Sequence, residues 1–348
     1  MSDVEHTELA PGYSISRIIN GCWQLTPDHG GGPATESETH RIFAELVDHG
    51  FTTFDCADIY VGVEESLGRF RKNLAAPDSV QIHSKYAPDR DTLHELTAPK
   101  IKDAVNRSLS RLGVERLDLL QFHWWRYELP GHMEMLETLM DLRDAGKIRL
   151  LGVTNYDTAH LAELLQRAPD LASIQCQYSL LDRRPQRHMA KLCEENDVHI
   201  LPYGVLAGGF LSEKYLDVPA PDVTNRSLTK YRLIIDEAGS WATFQHLLRT
   251  LAGIGERHGV PASAIAARWT LDQPAVAAIM LGVGTKSRAA QNRAISGIRL
   301  TQQDRDDIKA ALSRMSIPPG DVYELERDFS GPHTRIIKMN LHDSQQRD

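Results

Sequence analysis

Four polar side chains with complementary acid–base properties lie at the ends of predicted β-strands in the first half of the sequence. Asp55 and Tyr60 follow the second predicted strand, Lys85 ends the third, and His123 ends the fourth. A phenol is a weak acid at neutral pH, and a nearby ammonium group lowers its pKa because it stabilises the phenolate. A phenol, an ammonium, a carboxylate and an imidazole in one place can therefore transfer a proton to a carbonyl oxygen.

Each of these residue types suits a separate role in such a transfer. We expect Lys85 to lower the pKa of the Tyr60 phenol, and Asp55 to balance the ammonium charge among apolar strands. We expect a neutral His123 to orient the carbonyl by a hydrogen bond. Taken one at a time, Asp55, Tyr60 and Lys85 are better explained as a turn former, a packing residue and a surface charge, and His123 is equally well explained as a rim histidine. Their combination is what predicts a site.

The chain around these residues alternates between short β-branched runs and helical segments, which is typical of parallel βαβ units. The eight predicted strands are Ile18–Cys22, Thr52–Asp55, Val80–Lys85, Leu117–His123, Ile148–Thr154, Ser173–Gln177, His199–Tyr203 and Ala277–Gly282. Eight such units in 348 residues predict an α/β fold, the closed (β/α)8 or TIM barrel, rather than an open doubly wound sheet with its G-x-G-x-x-G motif. Because the carboxyl ends of barrel strands form one rim, the four polar residues are expected to meet there.

Segments with an apolar stripe at helical spacing predict the helices between the strands. They are Ser37–His49, Ser66–Asn73, Lys100–Leu112, Met133–Ala145, Thr158–Gln166, Pro185–Asn196, Phe244–His258 and Ser287–Ala294. Residues 211–240 break the alternation and predict a long loop, either a lid or a substrate loop. The tail from about Ile317 is expected to be irregular. The pair Arg183–Arg184 is expected to be solvated. Nothing divides the chain, so residues 1–348 are expected to form a single domain.

The charge balance and the cysteines limit the classes of partner. The sequence has 39 Lys and Arg against 47 Asp and Glu, a net charge of −8, so it has no basic field for nucleic acid or anionic lipid. The four cysteines lack disulfide or metal-ligand spacing, which predicts a reducing compartment and no metal. The first residues lack a secretory signal, and no apolar segment reaches the roughly 20 residues of a membrane span. We expect a cytoplasmic protein with a small-molecule substrate, no nucleic acid and no membrane partner.

The order of Asp55, Tyr60, Lys85 and His123 resembles the aldo-keto reductase superfamily, which carries an Asp-x-x-x-x-Tyr motif, a lysine ending strand three and a histidine after strand four. The resemblance covers roughly residues 10 to 300. It implies a (β/α)8 barrel that reduces an aldehyde or ketone to the alcohol with NADPH. It also implies that Tyr60 donates the proton, that Lys85 and Asp55 adjust the pKa of Tyr60, and that His123 orients the carbonyl.

The resemblance extends to the positions that hold the nicotinamide end of the cofactor. Thr154 and Asn155, in Gly-Val-Thr-Asn, and Gln175 resemble the residues that bind the carboxamide. Tyr203 resembles the aromatic residue that stacks on the nicotinamide ring. The serine that usually follows it is Gly204 here.

At the adenosine end, Thr285, Arg288 and Asn292 resemble residues of the loop and helix after the last strand that bind adenine and the 2′-phosphate. The planar guanidinium of Arg288 suits a phosphate group. A glycine stands where relatives often carry a second cation, although Lys286 lies close by. NADP is therefore the expected cofactor, and NAD stays open.

Trp23 and Trp124 resemble substrate-pocket aromatic residues of the family. Two alternative functions stay open: a sugar or alcohol dehydrogenase that works in the oxidative direction with NAD or NADP, and a regulatory subunit that senses the nucleotide. The substrate and the oligomeric state are not predicted by the sequence.

Overall fold

The computed structural model describes residues 4–26 and 35–340, and its centre is a parallel β-barrel. The strands in these ranges are β1 (His6–Ala10), β2 (Tyr13–Ser16), β3 (Ile18–Gly21), β4 (Thr53–Asp55), β5 (Gln81–Tyr86), β6 (Leu117–Phe122), β7 (Ile148–Thr154), β8 (Ser173–Gln177), β9 (His199–Tyr203) and β10 (Ile279–Gly282). Eight of them pair in parallel in the order β10-β3-β4-β5-β6-β7-β8-β9. Backbone hydrogen bonds of Ile200 in β9 with Ala275 and Ala277, at 2.8 and 3.2 Å, join β9 to the segment just before β10 and nearly close the barrel. The predicted (β/α)8 fold is confirmed.

Helices surround the barrel. In the described part of the chain they are α1 (Glu36–Asp48), α2 (Val63–Lys72), α3 (Ala98–Leu112), α4 (His132–Asp144), α5 (Thr158–Arg167), α6 (Met189–Glu195), α7 (Arg226–Ala238), α8 (Trp241–His258), α9 (Ala262–Leu271), α10 (Ala289–Gly297), α11 (Gln302–Leu312) and α12 (Glu324–Arg327). Each predicted helix is present, but Pro185 lies in a separate 3-10 turn, Arg184–Gln186, and α6 begins only at Met189. None of the described helices is long and apolar enough to cross a membrane.

An antiparallel hairpin of β1 and β2, which the sequence analysis did not predict, covers the amino-terminal end of the barrel. Gly12 forms its turn with a φ of +69°, a conformation that glycine adopts without strain. Leu9, Tyr13 and Ile15 of the hairpin pack against apolar side chains inside the barrel, such as Leu119. The hairpin therefore fills this end of the barrel, opposite the end where the polar strand-end residues lie.

Residues 211–240 are not the irregular loop that we expected from their composition, because α7 occupies Arg226–Ala238. The side-chain oxygen of Asn225 accepts hydrogen bonds from the backbone N–H groups of Ser227 and Leu228, at 2.9 and 3.2 Å, and caps the helix. The buried face of α7 consists of Tyr231, Ile234, Ile235 and Ala238. This spacing of three and four residues is the stripe of an amphipathic helix.

A buried ion-pair network attaches the carboxyl-terminal tail to the barrel. The guanidinium of Arg184, only 1% exposed, donates to Asp182 at 2.7 Å and to Glu326 of α12 at 3.0 Å. The expectation of a solvated Arg183–Arg184 pair is therefore wrong for Arg184. Two carboxylates from separate segments converge on it and compensate for its removal from water.

We expect Arg184→Met to lower the free energy of unfolding by about 3–5 kcal/mol, because it removes the cation to which two buried carboxylates are hydrogen-bonded. Arg187→Met is the matched control. Its exposed side chain donates to the backbone oxygen of Gly320 in the same tail, at 2.7 Å, and its loss is expected to cost about 1 kcal/mol or less. Equal losses in the two variants, measured by urea unfolding, would contradict this role.

The pH dependence of the stability lost in Arg184→Met gives a second test of this role. Burial raises the pKa of Glu326, but Arg184 and Lys230 outweigh it and lower the pKa from 4.5 to about 2. The stabilisation by this carboxylate is therefore fully present above about pH 4.5 and is lost as the pH falls towards 2. We therefore expect the difference in the free energy of unfolding between the wild type and Arg184→Met to decrease as the pH falls from about 4.5 towards 2.

Candidate active site

A cavity of about 400 Å3 opens at the carboxyl-terminal end of the barrel strands. It is lined by most of the residues predicted for chemistry or binding, namely Trp23, Asp55, Tyr60, Lys85, His123, Thr154, Asn155, Gln175, Tyr203 and Arg288. These side chains come from strand ends and loops far apart in the sequence. The barrel topology brings them together, because all parallel strands end on the same rim.

Lys85 and Asp55 form a buried ion pair on the cavity wall. The Lys85 ammonium donates to the Asp55 carboxylate and, at 2.8 Å, to the backbone oxygen of Cys56. The other carboxylate oxygen of Asp55 accepts from the amide nitrogens of Gln175 and Gln121, at 2.8 and 3.3 Å. Burial lowers the pKa of Lys85, but its attraction to Asp55 outweighs this and the net pKa lies above the ordinary value. The ammonium is therefore charged at neutral pH.

Tyr60 lies beside this ion pair, with the Lys85 nitrogen 5.3 Å from the centre of its ring. Lys85 lowers the pKa of the phenol, as the sequence analysis expects, but the net direction is the opposite. Burial is the larger effect and raises the pKa of Tyr60 to about 12. The phenol therefore keeps its proton at neutral pH, which is the form that can donate a proton to a substrate oxygen.

The two ring nitrogens of His123 have different surroundings. Nδ1 lies 3.0 Å from the backbone oxygen of Thr154, whereas the buried Nε2 has no hydrogen-bond partner among the described residues. Trp125 and Tyr323 pack edge-on against the ring, with centroid distances of 4.2 and 5.5 Å. Burial, assisted by the positive charge of Arg327, lowers the pKa of His123 to about 3. The imidazole is therefore neutral, as predicted.

The residues predicted to hold the nicotinamide end also contact one another. The Tyr203 hydroxyl donates to the side-chain oxygen of Asn155 at 2.9 Å, and the Thr154 hydroxyl donates to the backbone oxygen of Gln175 at 3.2 Å. The amide nitrogen of Gln175 donates to Asp55, a contact that the sequence analysis did not assign. Gln175 therefore also stabilises the charged carboxylate.

Gly204 stands where the family usually has serine, and its surroundings explain the difference. Its φ is +69°, and a Cβ atom there would lie 2.8 Å from the Tyr231 ring. Both the backbone conformation and the close contact favour glycine. The substitution is therefore coupled to helix α7, which brings Tyr231 to this point.

The adenosine-side residues are only partly on the cavity wall. Arg288 lines the cavity just before α10 begins, together with Gly284 of the preceding loop. Thr285 and Asn292 lie on the same loop and helix but are not part of the lining. Arg288 is therefore the residue of this group placed to meet a ligand inside the cavity.

Of the two tryptophans predicted to line the substrate pocket, only Trp23 does so. Trp124 is fully buried away from the cavity, and its indole N–H donates to the backbone oxygen of Arg126 at 2.8 Å. Its neighbour Trp125 lines the cavity instead, held by an indole N–H hydrogen bond to the Pro88 backbone oxygen at 2.7 Å. The prediction for Trp124 is wrong by one position, because consecutive residues after β6 point to different sides.

Several residues of the cavity were missed by the sequence analysis. Helix α7 contributes Arg226 and Lys230, and the carboxyl-terminal tail contributes Tyr323 and Lys338. The Lys230 ammonium lies 4.7 Å from the centre of the Tyr203 ring. The apolar stripe of α7 after the capping Asn225 was a signal for its position, whereas no local pattern marks the path of the tail.

Comparisons with known proteins agree with this geometry. The family profile described as Aldo/keto reductase family matches residues 17–313. The chain is 28% identical to aldo-keto reductase YhdN of Bacillus subtilis (strain 168) over 346 residues, which covers 95% of this chain and 99% of the relative. It is 26% identical to the NADH-specific methylglyoxal reductase of Escherichia coli (strain K12) over 324 residues, 84% of this chain and 93% of the relative.

Solved structures give the same result. The glycerol dehydrogenase from Gluconobacter oxydans superposes with a TM-score of 0.74 and 26% identity, covering 89% of this chain and 95% of that one. Because the family profile spans most of the sequence, the chain belongs to the aldo/keto reductase family of oxidoreductases.

Proposed function

We propose that this protein reduces an aldehyde or ketone to the alcohol with NADPH, and that Tyr60 donates the proton. The observation that carries the proposal is the arrangement of Tyr60, the Lys85–Asp55 ion pair and His123 around a single cavity. Family membership supports NAD(P)H-dependent carbonyl reduction in general. The neutral phenol of Tyr60 supports the reductive direction in particular.

The residues on the cavity wall fit a nicotinamide dinucleotide. Asn155 and Thr154 carry amide and hydroxyl groups that suit a carboxamide, and they line the same cavity as Tyr60. The lining also includes the cationic residues Arg226, Lys230, Arg288 and Lys338. Several positive charges in one cavity match the charge of a pyrophosphate and a 2′-phosphate.

When bound, the reduced nicotinamide supplies a hydride from its C4 atom to the carbonyl carbon. The residues of the chain protonate the carbonyl oxygen. As the carbon–oxygen π bond breaks, the Tyr60 hydroxyl gives its proton to that oxygen and becomes a phenolate. The Lys85 ammonium stabilises the phenolate, and Asp55 keeps Lys85 charged. Since all these groups are fixed before the reaction, they contribute through positioning and electrostatics.

The alternative is the same reaction run as an alcohol oxidation. The likeness to a glycerol dehydrogenase favours it. Oxidation requires the Tyr60 phenolate as base, and the pKa of about 12 makes that form rare at neutral pH. The protonated phenol is the starting form for reduction, and we keep reduction as the proposed direction.

Binding and turnover assays test this function. We expect NADPH to change the protein fluorescence on titration, and its nicotinamide absorbance to fall when members of an aldehyde panel are added. NADPH binding without turnover of any aldehyde or ketone would instead favour a nucleotide-sensing regulatory subunit. If neither NADPH nor NADH binds, the proposed function is wrong.

Arg288 is expected to set the preference for NADPH over NADH. Arg288→Ala is expected to weaken NADPH binding about 10- to 100-fold, because a hydrogen-bonded phosphate contact is worth about 1.5–3 kcal/mol. NADH lacks the 2′-phosphate, so its affinity is expected to change about twofold at most. Lys309→Ala in α11 removes an exposed positive charge away from the cavity and is the matched control. A wild-type protein that binds NADH as tightly as NADPH, or more tightly, would contradict this role.

We also infer a reducing, cytoplasmic setting and a small-molecule partner. The support is that Cys22, Cys56, Cys176 and Cys193 are all free and buried. Thiols of this kind need no oxidising compartment for folding. Alkylation of the denatured protein from its native cells is expected to label all four.

A further inference from the structure

We propose that the positive charge of Lys230 makes this cavity bind NADPH more tightly than NADP⁺. The inference rests on the proposed function, because it concerns the cofactor that the same cavity would use. It gives a role to a residue of helix α7, in the segment where the sequence analysis expected a loop. Lys230 would act on the charge of the nicotinamide ring and so favour the release of NADP⁺ after reduction.

The first step is the position of the Lys230 ammonium. It lies over the Tyr203 ring, 4.7 Å from the ring centre, and its nitrogen is 3.5 Å from the Tyr203 hydroxyl oxygen. That hydroxyl donates to the side-chain oxygen of Asn155 at 2.9 Å, and all three residues line the cavity. The proposal takes Tyr203 and Asn155 as the residues beside the nicotinamide, as the family resemblance implies. The contact with Tyr203 then places the Lys230 charge at the nicotinamide end of the cofactor site.

The second step is the charge state of Lys230. Burial lowers the pKa of this amine, and the cations Arg184 and Arg226 act in the same direction, whereas Glu326 and Asp182 act to raise it. The two carboxylates share the guanidinium of Arg184, with contacts of 2.7 and 3.0 Å. Two negative charges and one positive charge leave this buried network with one negative charge. A neighbouring negative charge favours the ammonium form of a lysine.

The third step is the direction in which that ammonium can act. Its hydrogen-bond partner in the described part of the chain is the neutral hydroxyl of Tyr203 rather than a carboxylate. The carboxylates of Asp182 and Glu326 are instead bound to Arg184, and neither residue is part of the cavity lining. The ammonium is therefore the charged group of this region that a ligand beside Tyr203 meets.

The fourth step is the difference between the two forms of the cofactor. The nicotinamide ring carries a positive charge when it is oxidised and none when it is reduced, whereas the phosphates and the adenosine are the same in both forms. A fixed cation near this ring therefore repels NADP⁺ and leaves NADPH almost unaffected. Two unit charges about 10 Å apart, at an effective dielectric constant of about 20, change an affinity about tenfold.

This difference favours turnover in the reductive direction. The hydride leaves the nicotinamide with the bonding electron pair, so the positive charge appears on the ring as the carbonyl compound is reduced. NADP⁺ is the product that must then leave the cavity, and repulsion by Lys230 speeds its dissociation. NADPH, which has no charge on the ring, enters without this penalty.

Equilibrium binding, measured by fluorescence titration without any carbonyl compound, tests the proposal. We expect the wild type to bind NADPH about tenfold more tightly than NADP⁺. In Lys230→Met the affinity for NADP⁺ is expected to rise about tenfold, while the affinity for NADPH changes less than about twofold. Lys230→Gln is expected to behave in the same way, and Lys230→Arg, which keeps the charge, is expected to keep the wild-type ratio.

Lys214→Met is the matched control. The Lys214 ammonium lies 5.0 Å from the centre of the Tyr215 ring, outside the cavity lining, so the same kind of contact is removed away from the site. We expect this variant to keep both affinities within about twofold of the wild type. An equal change of the ratio in Lys214→Met and Lys230→Met would contradict the assignment to Lys230.

ADP-ribose 2′-phosphate, which carries the phosphates of NADP without the nicotinamide, shows which end of the cofactor Lys230 acts on. We expect Lys230→Met to bind this compound as tightly as the wild type does. Equal losses of affinity for it, for NADPH and for NADP⁺ would mean that Lys230 contacts the phosphates, and would overturn the inference. An unchanged ratio between NADPH and NADP⁺ in Lys230→Met would overturn it as well. If the wild type binds neither NADPH nor NADP⁺, the proposed function itself has failed.

Discussion

Replacing Tyr60 by phenylalanine is expected to lower kcat about 1,000-fold or more, because the variant has lost the group that protonates the substrate oxygen. The ring still fills the same space on the cavity wall, so we expect the affinity for NADPH to change less than about twofold. Stopped-flow absorbance of the nicotinamide gives the rate, and a fluorescence titration gives the affinity.

Tyr215→Phe is the matched control for this substitution. Tyr215 is buried outside the cavity lining, so loss of its hydroxyl is expected to leave kcat within about twofold of the wild type. A Tyr60→Phe variant that keeps most of its kcat would exclude Tyr60 as the proton donor. A variant that loses NADPH binding as well would place the hydroxyl in cofactor binding instead.

Breaking the Lys85–Asp55 pair is expected to reduce both stability and activity. Asp55→Asn leaves the Lys85 ammonium buried without its counter-charge, and Lys85→Met leaves the Asp55 carboxylate in the same condition. Each change is expected to lower the free energy of unfolding by about 3–5 kcal/mol. Each is also expected to lower kcat about 100-fold or more, because the Tyr60 phenolate loses its stabilising charge.

The double variant Asp55→Asn/Lys85→Met separates the two effects. With both charges removed, we expect at least half of the lost stability to return, because no uncompensated charge stays buried. Activity is expected to stay as low as in Lys85→Met. For comparison, Glu36→Gln at the exposed Arg69–Glu36 pair is expected to cost about 1 kcal/mol or less. Recovery of activity along with stability would mean that the pair serves the fold and not the reaction.

The barrel was predictable because its strands are short β-branched runs that alternate with amphipathic helices. Two of the elements that escaped prediction, helix α9 and the hairpin of β1 and β2, lack that contrast. Helix α9 is buried along nearly its whole length, so Ala264–Ala267 show no polar face to reveal a helical period. The hairpin of β1 and β2 is too short for its alternation to stand out, and its place in the barrel end depends on long-range contacts such as that of Tyr13 with His83, at 3.1 Å.

The candidate site was predictable where it depends on strand ends and unpredictable where it depends on long-range packing. The positions of Asp55, Lys85 and His123 follow from the strand register. The path of the tail that carries Tyr323, and the burial that raises the pKa of Tyr60, depend on packing between distant segments.

The most direct test of carbonyl reduction in this cavity uses NADPH that carries deuterium at both hydrogen positions of the nicotinamide C4 atom and follows the transfer of deuterium to the alcohol formed from an aldehyde or ketone. We expect one deuterium atom per molecule of alcohol to appear on the carbinol carbon. We expect Tyr60→Phe to slow this transfer. A product alcohol without the label, or labelled NADPH that binds and yields no alcohol from any carbonyl compound, would contradict the assignment of this cavity as the site of carbonyl reduction.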